Sequence, residues 1–201
     1  MVLNKYRDEV DFLFEPVARR MPNTNPNILT LLAISFAFLG GLSIYFSNRS
    51  FLSAFLLISL SSYLDALDGK VAKLHGKATR RGDFLDHVGD RYADLFILLG
   101  IAFSTYCELW IGLLAIVGVL LTSYMGTQAQ ALGVGREYGG ILGRSERLVI
   151  LMATLLAHYL LSIDHMQIWG FTVFEYMMLW FAVAGNITAL HRGTLVWREL
   201  K

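Results

Sequence analysis

Six apolar stretches, each near the roughly 20 residues that a bilayer-spanning helix needs, divide this 201-residue chain. They run approximately over 28–47, 51–73, 86–106, 109–132, 147–163 and 168–191. Hydrocarbon offers no partner for backbone polar groups, so apolar segments of this length read as helices. The expected fold is all-α: a polytopic membrane protein with six transmembrane helices, one domain over 1–201, its bundle over 28–191. Composition agrees. Hydrophobic residues make up 55% and charged residues only 16%, and the mean hydropathy is +0.52, a more apolar balance than soluble domains show. A single cysteine, Cys107, excludes an internal disulfide and a thiolate metal cluster. The first residues alternate charged and apolar side chains, so no cleavable signal peptide is expected and the first span is expected to direct insertion.

Ahead of the first span, residues 1–22 read as an amphipathic helix. Tyr6, Val10, Leu13, Phe14 and Val17 recur at steps of three and four, with Lys5, Arg7, Arg19 and Arg20 elsewhere. Such a helix lies in the membrane interface or packs on the protein's own cytoplasmic face. Pro22 to Asn27 then breaks it and supplies a cap for the next helix. Lysines and arginines set orientation through their retention in the cytoplasm. They gather before span one, after span two (Lys70, Lys73, Lys77, Arg80, Arg81), between spans four and five (Arg136, Arg144, Arg147) and at the end (Arg192, Arg198, Lys201), leaving only Arg49 for the other face. Both termini and the charged loops are therefore expected in the cytoplasm, in an integral cell-membrane protein.

Four aspartates stand at that cytoplasmic edge. Asp65 and Asp68 share one helix face by their spacing, and Asp86 and Asp90 share a face on the next helix. Carboxylates near hydrocarbon are costly and mark functional sites; alone, these fit cation permeation, an intramembrane protease pair, or a metal clamp for a diphosphate. Their companions favour the last. Gly69 removes a side chain where a ligand can approach. Lys73, Lys77, Arg80 and Arg81 place positive charge beside the acids, which would repel a permeating cation but would neutralise phosphate oxygens. Oxygen-only ligands suit Mg2+ or Mn2+, and two such ions about 3.5 to 4 Å apart would stabilise attacking and leaving oxygens together.

The pattern D-x2-D-G-x2-A-R-x8-G-x3-D-x3-D marks the CDP-alcohol phosphotransferases, and this chain resembles them at Asp65, Asp68, Gly69, Ala72, Gly82, Asp86 and Asp90, with Lys73 where the family has arginine. Lysine keeps the charge and loses the planar fork that grips phosphate at two points. Asn27-Ile28-Leu29-Thr30 looks like the start of the family's first span, which lines the nucleotide pocket, and Thr79 matches a small hydroxyl residue that contacts the CDP group. The resemblance implies that Asp65 and Asp86 bridge two metal ions, Asp68 holds the first, and Asp90 holds the second and acts as general base. Gly69, Lys73, Thr79 and Gly82 would join Asn27 to Thr30 in binding a CDP-linked lipid. It also implies six membrane helices, a homodimer, a polar alcohol as second substrate and CMP as the leaving group. Partners are substrates and membrane lipids, with no nucleic acid; the net charge of +1 carries little further information.

The acceptor side is read from Arg144, Arg147 and Arg192. Gly143-Arg144-Ser145-Glu146-Arg147 resembles the paired arginine and glutamate motif of phosphatidylinositol-phosphate synthases, the branch closest to this chain together with the archaetidylinositol-phosphate synthases, and Arg192 matches an arginine near the end of their last span. The arginines would grip the phosphate of a polyol phosphate such as inositol phosphate or glycerol phosphate. Where that branch has a lysine and an arginine in the fourth helix, this chain has Gln128 and Gln130 within Tyr124–Gln130. Two rival readings remain. An intramembrane prenyltransferase would be expected to carry its acids in two well-separated motifs, whereas all four here fall between Asp65 and Asp90. A divalent-cation transporter is opposed by the adjacent basic residues.

Other polar residues read as structural. His75 and His87 lie near the acids but add nitrogen to a site that oxygen already suits. Asp83 is expected to cap a helix and Asp94 to be a hydrogen-bonded structural acid. Gly40 and Gly41 are expected to admit a close helix contact.

Overall fold

Each of the six apolar stretches forms a helix, but their boundaries follow local chemistry rather than hydropathy alone. The computed structural model describes residues 14–46, 51–135, 139–161, 163 and 166–200. Its long helices are α1 (Pro26–Tyr45), α2 (Leu52–Leu74), α3 (Arg80–Ala102), α4 (Leu109–Ala131), α5 (Arg144–Leu161) and α6 (Val173–Glu199). Four of them, α1, α2, α4 and α6, are long and apolar enough to cross a membrane, which makes this an integral membrane protein. The third is of similar length, but between Arg80 and Asp94 it carries Arg80, Arg81, Asp83, Asp86, Asp90, Arg91 and Asp94. Of the amphipathic segment, residues 14–19 are helical; residues 1–13, the break at 47–50, Arg136 and Lys201 lie outside the described residues.

Two boundaries differ instructively. Helix α3 begins at Arg80, before the expected 86, because Thr79 caps it: the Gly82 amide donates to Thr79 Oγ1 at 3.0 Å and the Asp83 amide donates to the Thr79 carbonyl at 3.0 Å. Asp83, expected as the cap, instead stands in the first turn, 3.5 Å from His87. The last span was expected from 168, yet residues Gln167–Ile168 (β1) and Phe171–Thr172 (β2) form a small antiparallel hairpin. Its turn residues Trp169 and Gly170 both have positive φ, 54° and 84°, the backbone that a two-residue hairpin turn of matching twist requires. A capping box then starts α6, with Thr172 and Glu175 each bonding the other's backbone.

The chain packs as two compact units, one ending at Gly100 and the other starting at Ile101. In the first, α1 is held by both neighbours. Ser61 Oγ donates to the Ala33 carbonyl at 2.7 Å, and Gly40 lies against Ile58 of α2. On the α3 side a Cβ at Gly41 would collide with the Phe96 carbonyl, and one at Gly100 would collide with Gly41 itself. Backbone therefore meets backbone, the close contact expected of these glycines. Phe38 and Phe96 close the gap edge to face, with centroids 5.0 Å apart.

The second unit repeats the device. Gly118 of α4 and Gly185 of α6 abut backbone to backbone, and Thr122 Oγ1 donates to the Gly185 carbonyl at 2.8 Å. Tyr106, His158 and Phe174 pack as mutually tilted rings at the opposite end of the helices from Arg144 and Arg192. There Thr172 Oγ1 donates to the Tyr106 carbonyl and the Glu108 amide donates to Glu175 Oε1.

Candidate active site

Helices α2 and α3 bring the acids together because only residues 75–79 join them. Ligand oxygens of Asp65, Asp86 and Asp90 all lie within 4.8 Å of one another. Asp65 and Asp86 are half-buried and Asp90 is buried, so the cluster lies between solvent and helix packing. Three carboxylates held this close repel one another unless a cation lies among them. Their hard oxygen donors fit Mg2+ or Mn2+ and give nothing to a metal that prefers sulfur or nitrogen.

Asp68, the fourth acid, is not one of those three but lies near Asp65 and Asp86. It is buried, and its Oδ2 accepts from Thr30 Oγ1 of α1 at 2.5 Å. Thr30 was expected to line the nucleotide pocket; its hydroxyl is engaged in orienting an acid. Nothing in an apolar run announces such a pairing, since the partners are 38 positions apart. Leu29 packs with Ala18, Leu67 and Val71, while Ile28 is exposed.

The remaining CDP-lipid residues fall into two groups. Asp65, Gly69 and Lys73 follow at steps of four and so line one stripe of α2. Gly69 and Lys73 are exposed, and no atom lies within 4 Å of where a Cβ on Gly69 would stand. That leaves the approach to the acids open. At the start of α3, Gly82 sits between Asn27 and Thr79: a Cβ there would stand 3.2 Å from Asn27 Oδ1 and 3.3 Å from Thr79 Oγ1. Three of the expected lipid-binding residues thus meet at one helix terminus.

Several charges near the acids have structural partners. Lys77 Nζ donates to the carbonyls of Pro22 and Thr24 at 2.6 and 2.9 Å, so it holds the segment before α1. His75 Nε2 donates to the Ala18 carbonyl at 2.9 Å. His87 stands 3.7 Å from Asp86, and Arg91 Nη2 stands 3.4 Å from Asp90 and 3.7 Å from Asp94. Asp94 is buried beside that guanidinium, as a structural acid should be.

In the second unit, Arg144 and Arg147 stand one turn apart at the start of α5, and Arg147 is buried. Arg192, also buried, donates from Nε to the Gly139 carbonyl at 2.8 Å and from Nη1 to the Thr122 carbonyl at 2.7 Å. One turn earlier on α6, Thr188 Oγ1 accepts from the amides of Ile141 and Leu142, both at 3.1 Å. The segment leading into α5 is therefore fastened to α6 beside Arg192. Glu146 has both carboxylate oxygens enclosed, a feature the sequence did not foretell.

Four helices able to cross a membrane, with carboxylates of α2 and α3 clustered between solvent and helix packing, define an integral membrane enzyme of the metal-dependent phosphotransfer class. Residues 23–188 match the family model for CDP-alcohol phosphatidyltransferases, and the chain belongs to that family. It is 31% identical over its whole length to an archaetidylinositol phosphate synthase of Methanothermobacter thermautotrophicus, covering 96% of that protein. It is 29% identical to a phosphatidylinositol phosphate synthase of Streptomyces avermitilis, over 87% of this chain and 73% of the other. Among solved structures, the phosphatidylinositol phosphate synthase of Mycobacterium tuberculosis with CDP-DAG bound shares the fold, with a TM-score of 0.76 at 24% identity, over 92% of this chain and 93% of that one.

Proposed function

We propose that this enzyme transfers a phosphatidyl-type group, diacyl or dialkyl glycerol phosphate, from a CDP-linked lipid to a hydroxyl of inositol phosphate and releases CMP. The observation that carries the reading is the Asp65, Asp86 and Asp90 cluster. The two relatives named for inositol phosphate products support that acceptor. A structure of the mycobacterial protein was solved with manganese and citrate, which supports Mn2+ or Mg2+ as the cofactor. Two bound ions would supply charge to the diphosphate; Asp65, Asp86 and Asp90 would hold them, with Asp68, set in place by Thr30, as the fourth ligand.

The protein's own groups do the rest. Asp90 takes the proton of the attacking hydroxyl. The new bond forms between that oxygen and the lipid-bearing phosphorus, the bond from that phosphorus to the bridging oxygen breaks, and CMP leaves with the bridging oxygen. Lys73, Thr79, Gly82, Gly69 and Asn27 bind the CDP-lipid head, and Arg144, Arg147 and Arg192 bind the acceptor phosphate. The reading includes a single domain with six spans, cytoplasmic termini, a cytoplasmic active site and a homodimer, supported by the distribution of basic residues and by the family.

The test is CMP release by the purified full-length protein, supplied with CDP-diacylglycerol or its dialkyl counterpart and Mn2+ or Mg2+. The acceptor panel is inositol phosphate, glycerol phosphate, inositol and serine. Metal-dependent release with inositol phosphate is expected. Preference for glycerol phosphate would move the acceptor assignment, and no release with any acceptor would overturn the function.

A further inference from the structure

We infer that Glu146 receives the hydroxyl groups of the polyol phosphate acceptor, at the helix terminus where Arg144 and Arg147 take its phosphate; the inference rests on the acceptor reading above. Both Glu146 oxygens are enclosed, and among the described residues neither has a hydrogen-bond partner. Removing a carboxylate from water without replacing its hydrogen bonds is costly, and a native protein keeps such a group only where something else supplies them.

The obvious structural explanation fails on geometry. Arg147 N donates to the Gly143 carbonyl, so Gly143 caps α5 and Glu146 is the third helical residue. A glutamate there ordinarily reaches back to the cap amide in a capping box. Helix α6 shows that arrangement, with Glu175 Oε2 accepting from the Thr172 amide at 2.7 Å; Glu146 makes no such bond.

The chemistry of the acceptor explains what the glutamate adds. Arginine side chains carry donors and no acceptor. A site built from Arg144, Arg147 and Arg192 alone can grip phosphate but cannot receive the hydrogens of a polyol. An ionised glutamate offers two oxygens with several lone pairs, enough for neighbouring hydroxyls. The mounting is firm, since Thr188 and Arg192 fasten residues 139–142 to α6 just before the helix starts. A site that hydrogen-bonds substrate hydroxyls discriminates strongly against analogues that lack them.

The test compares wild type with E146Q in the full-length, metal-loaded enzyme. KM is measured for inositol phosphate and for CDP-lipid, and inositol phosphate binding is followed by titration calorimetry without the lipid substrate. The expected result is at least a tenfold rise in acceptor KM and Kd, with the CDP-lipid KM within twofold of wild type. A deoxy analogue of inositol phosphate should show a smaller difference between the two proteins. Folded E146Q with unchanged acceptor KM and Kd overturns the inference, as does a lower melting temperature with no change in acceptor binding. If E146Q does not fold, E146D carries the test: a raised acceptor KM with unchanged CDP-lipid KM supports the role, and an unchanged one overturns it. Wild type that turns over with inositol phosphate while the variants match it sinks this inference alone. Wild type that uses no polyol phosphate sinks the acceptor reading and this inference with it.

Discussion

Thr30 Oγ1 donates to Asp68 Oδ2, joining α1 to the helix that carries half of the acidic signature. A hydrogen bond to a charged group contributes about 1.5 to 3 kcal/mol, and a buried carboxylate deprived of it retains its desolvation cost. Thr30→Val keeps the shape and removes the donor. It is expected to lower stability by about that amount and to weaken Mn2+ binding, measured by thermal unfolding and by Mn2+ titration followed by electron paramagnetic resonance. Unchanged values on both would show that Asp68 does not depend on Thr30.

Asp90→Asn separates proton transfer from ion holding. General-base removal costs roughly 10²- to 10⁴-fold in rate, so kcat is expected to fall within that range or below detection while the CDP-lipid KM changes little. Asp65→Asn and Asp86→Asn should instead raise the Mn2+ concentration needed for half-maximal activity. Equal effects from all three on Mn2+ dependence would remove the separate role of Asp90.

Lys73 and Lys77 look alike in sequence and should behave differently. Lys73 is exposed on the Asp65 stripe, so Lys73→Ala should raise the CDP-lipid KM several-fold with little change in melting temperature. Lys77 is bonded to Pro22 and Thr24, so Lys77→Met should cost about 1 kcal/mol of stability and leave that KM near wild type. Kinetics and unfolding measured on the same preparations distinguish the two.

Burial, aided by the nearby Glu175 charge, pushes the Cys107 thiol from 9.0 up to about 12. The thiolate is the reactive form, so iodoacetamide at pH 8 should leave the folded protein unlabelled and label it after denaturation. The folded state also keeps its proton where the unfolded state loses it. This contribution to stability is intact below pH 9.0 and is lost as pH rises toward 12, and Cys107→Ser should flatten that decline in an unfolding series.

How much of this was legible in sequence depended on whether a signal was local. Apolar length marked six helices, and the spacing of Asp65 with Asp68 and of Asp86 with Asp90 marked two faces, of which Asp65, Asp86 and Asp90 meet while Asp68 is not one of that group. Gly40 and Gly41 marked a close helix contact for the same reason, since a missing side chain has one local meaning. The Thr30 to Asp68 bond and the Lys77 anchor join residues far apart in the chain, and no periodicity encodes them. The hairpin before α6 was hidden differently: Trp169 is apolar and extends the hydropathic run, yet its backbone is left-handed. Asp83 lost the cap to Thr79 because two suitable residues stood near one helix start, and only the hydrogen bond separates them.

The short connection between α2 and α3 has a consequence for biogenesis. All the acids lie in the unit that ends at Gly100, and the two helices that carry them are neighbours in the chain. Contacts of low sequence separation form early and quickly, and domains fold as units as the chain emerges. The acidic cluster can therefore take shape once α3 has left the ribosome, while α4 is still being made. A nascent chain halted after Gly100 would then already bind manganese, before Arg144, Arg147 or Arg192 has been synthesised.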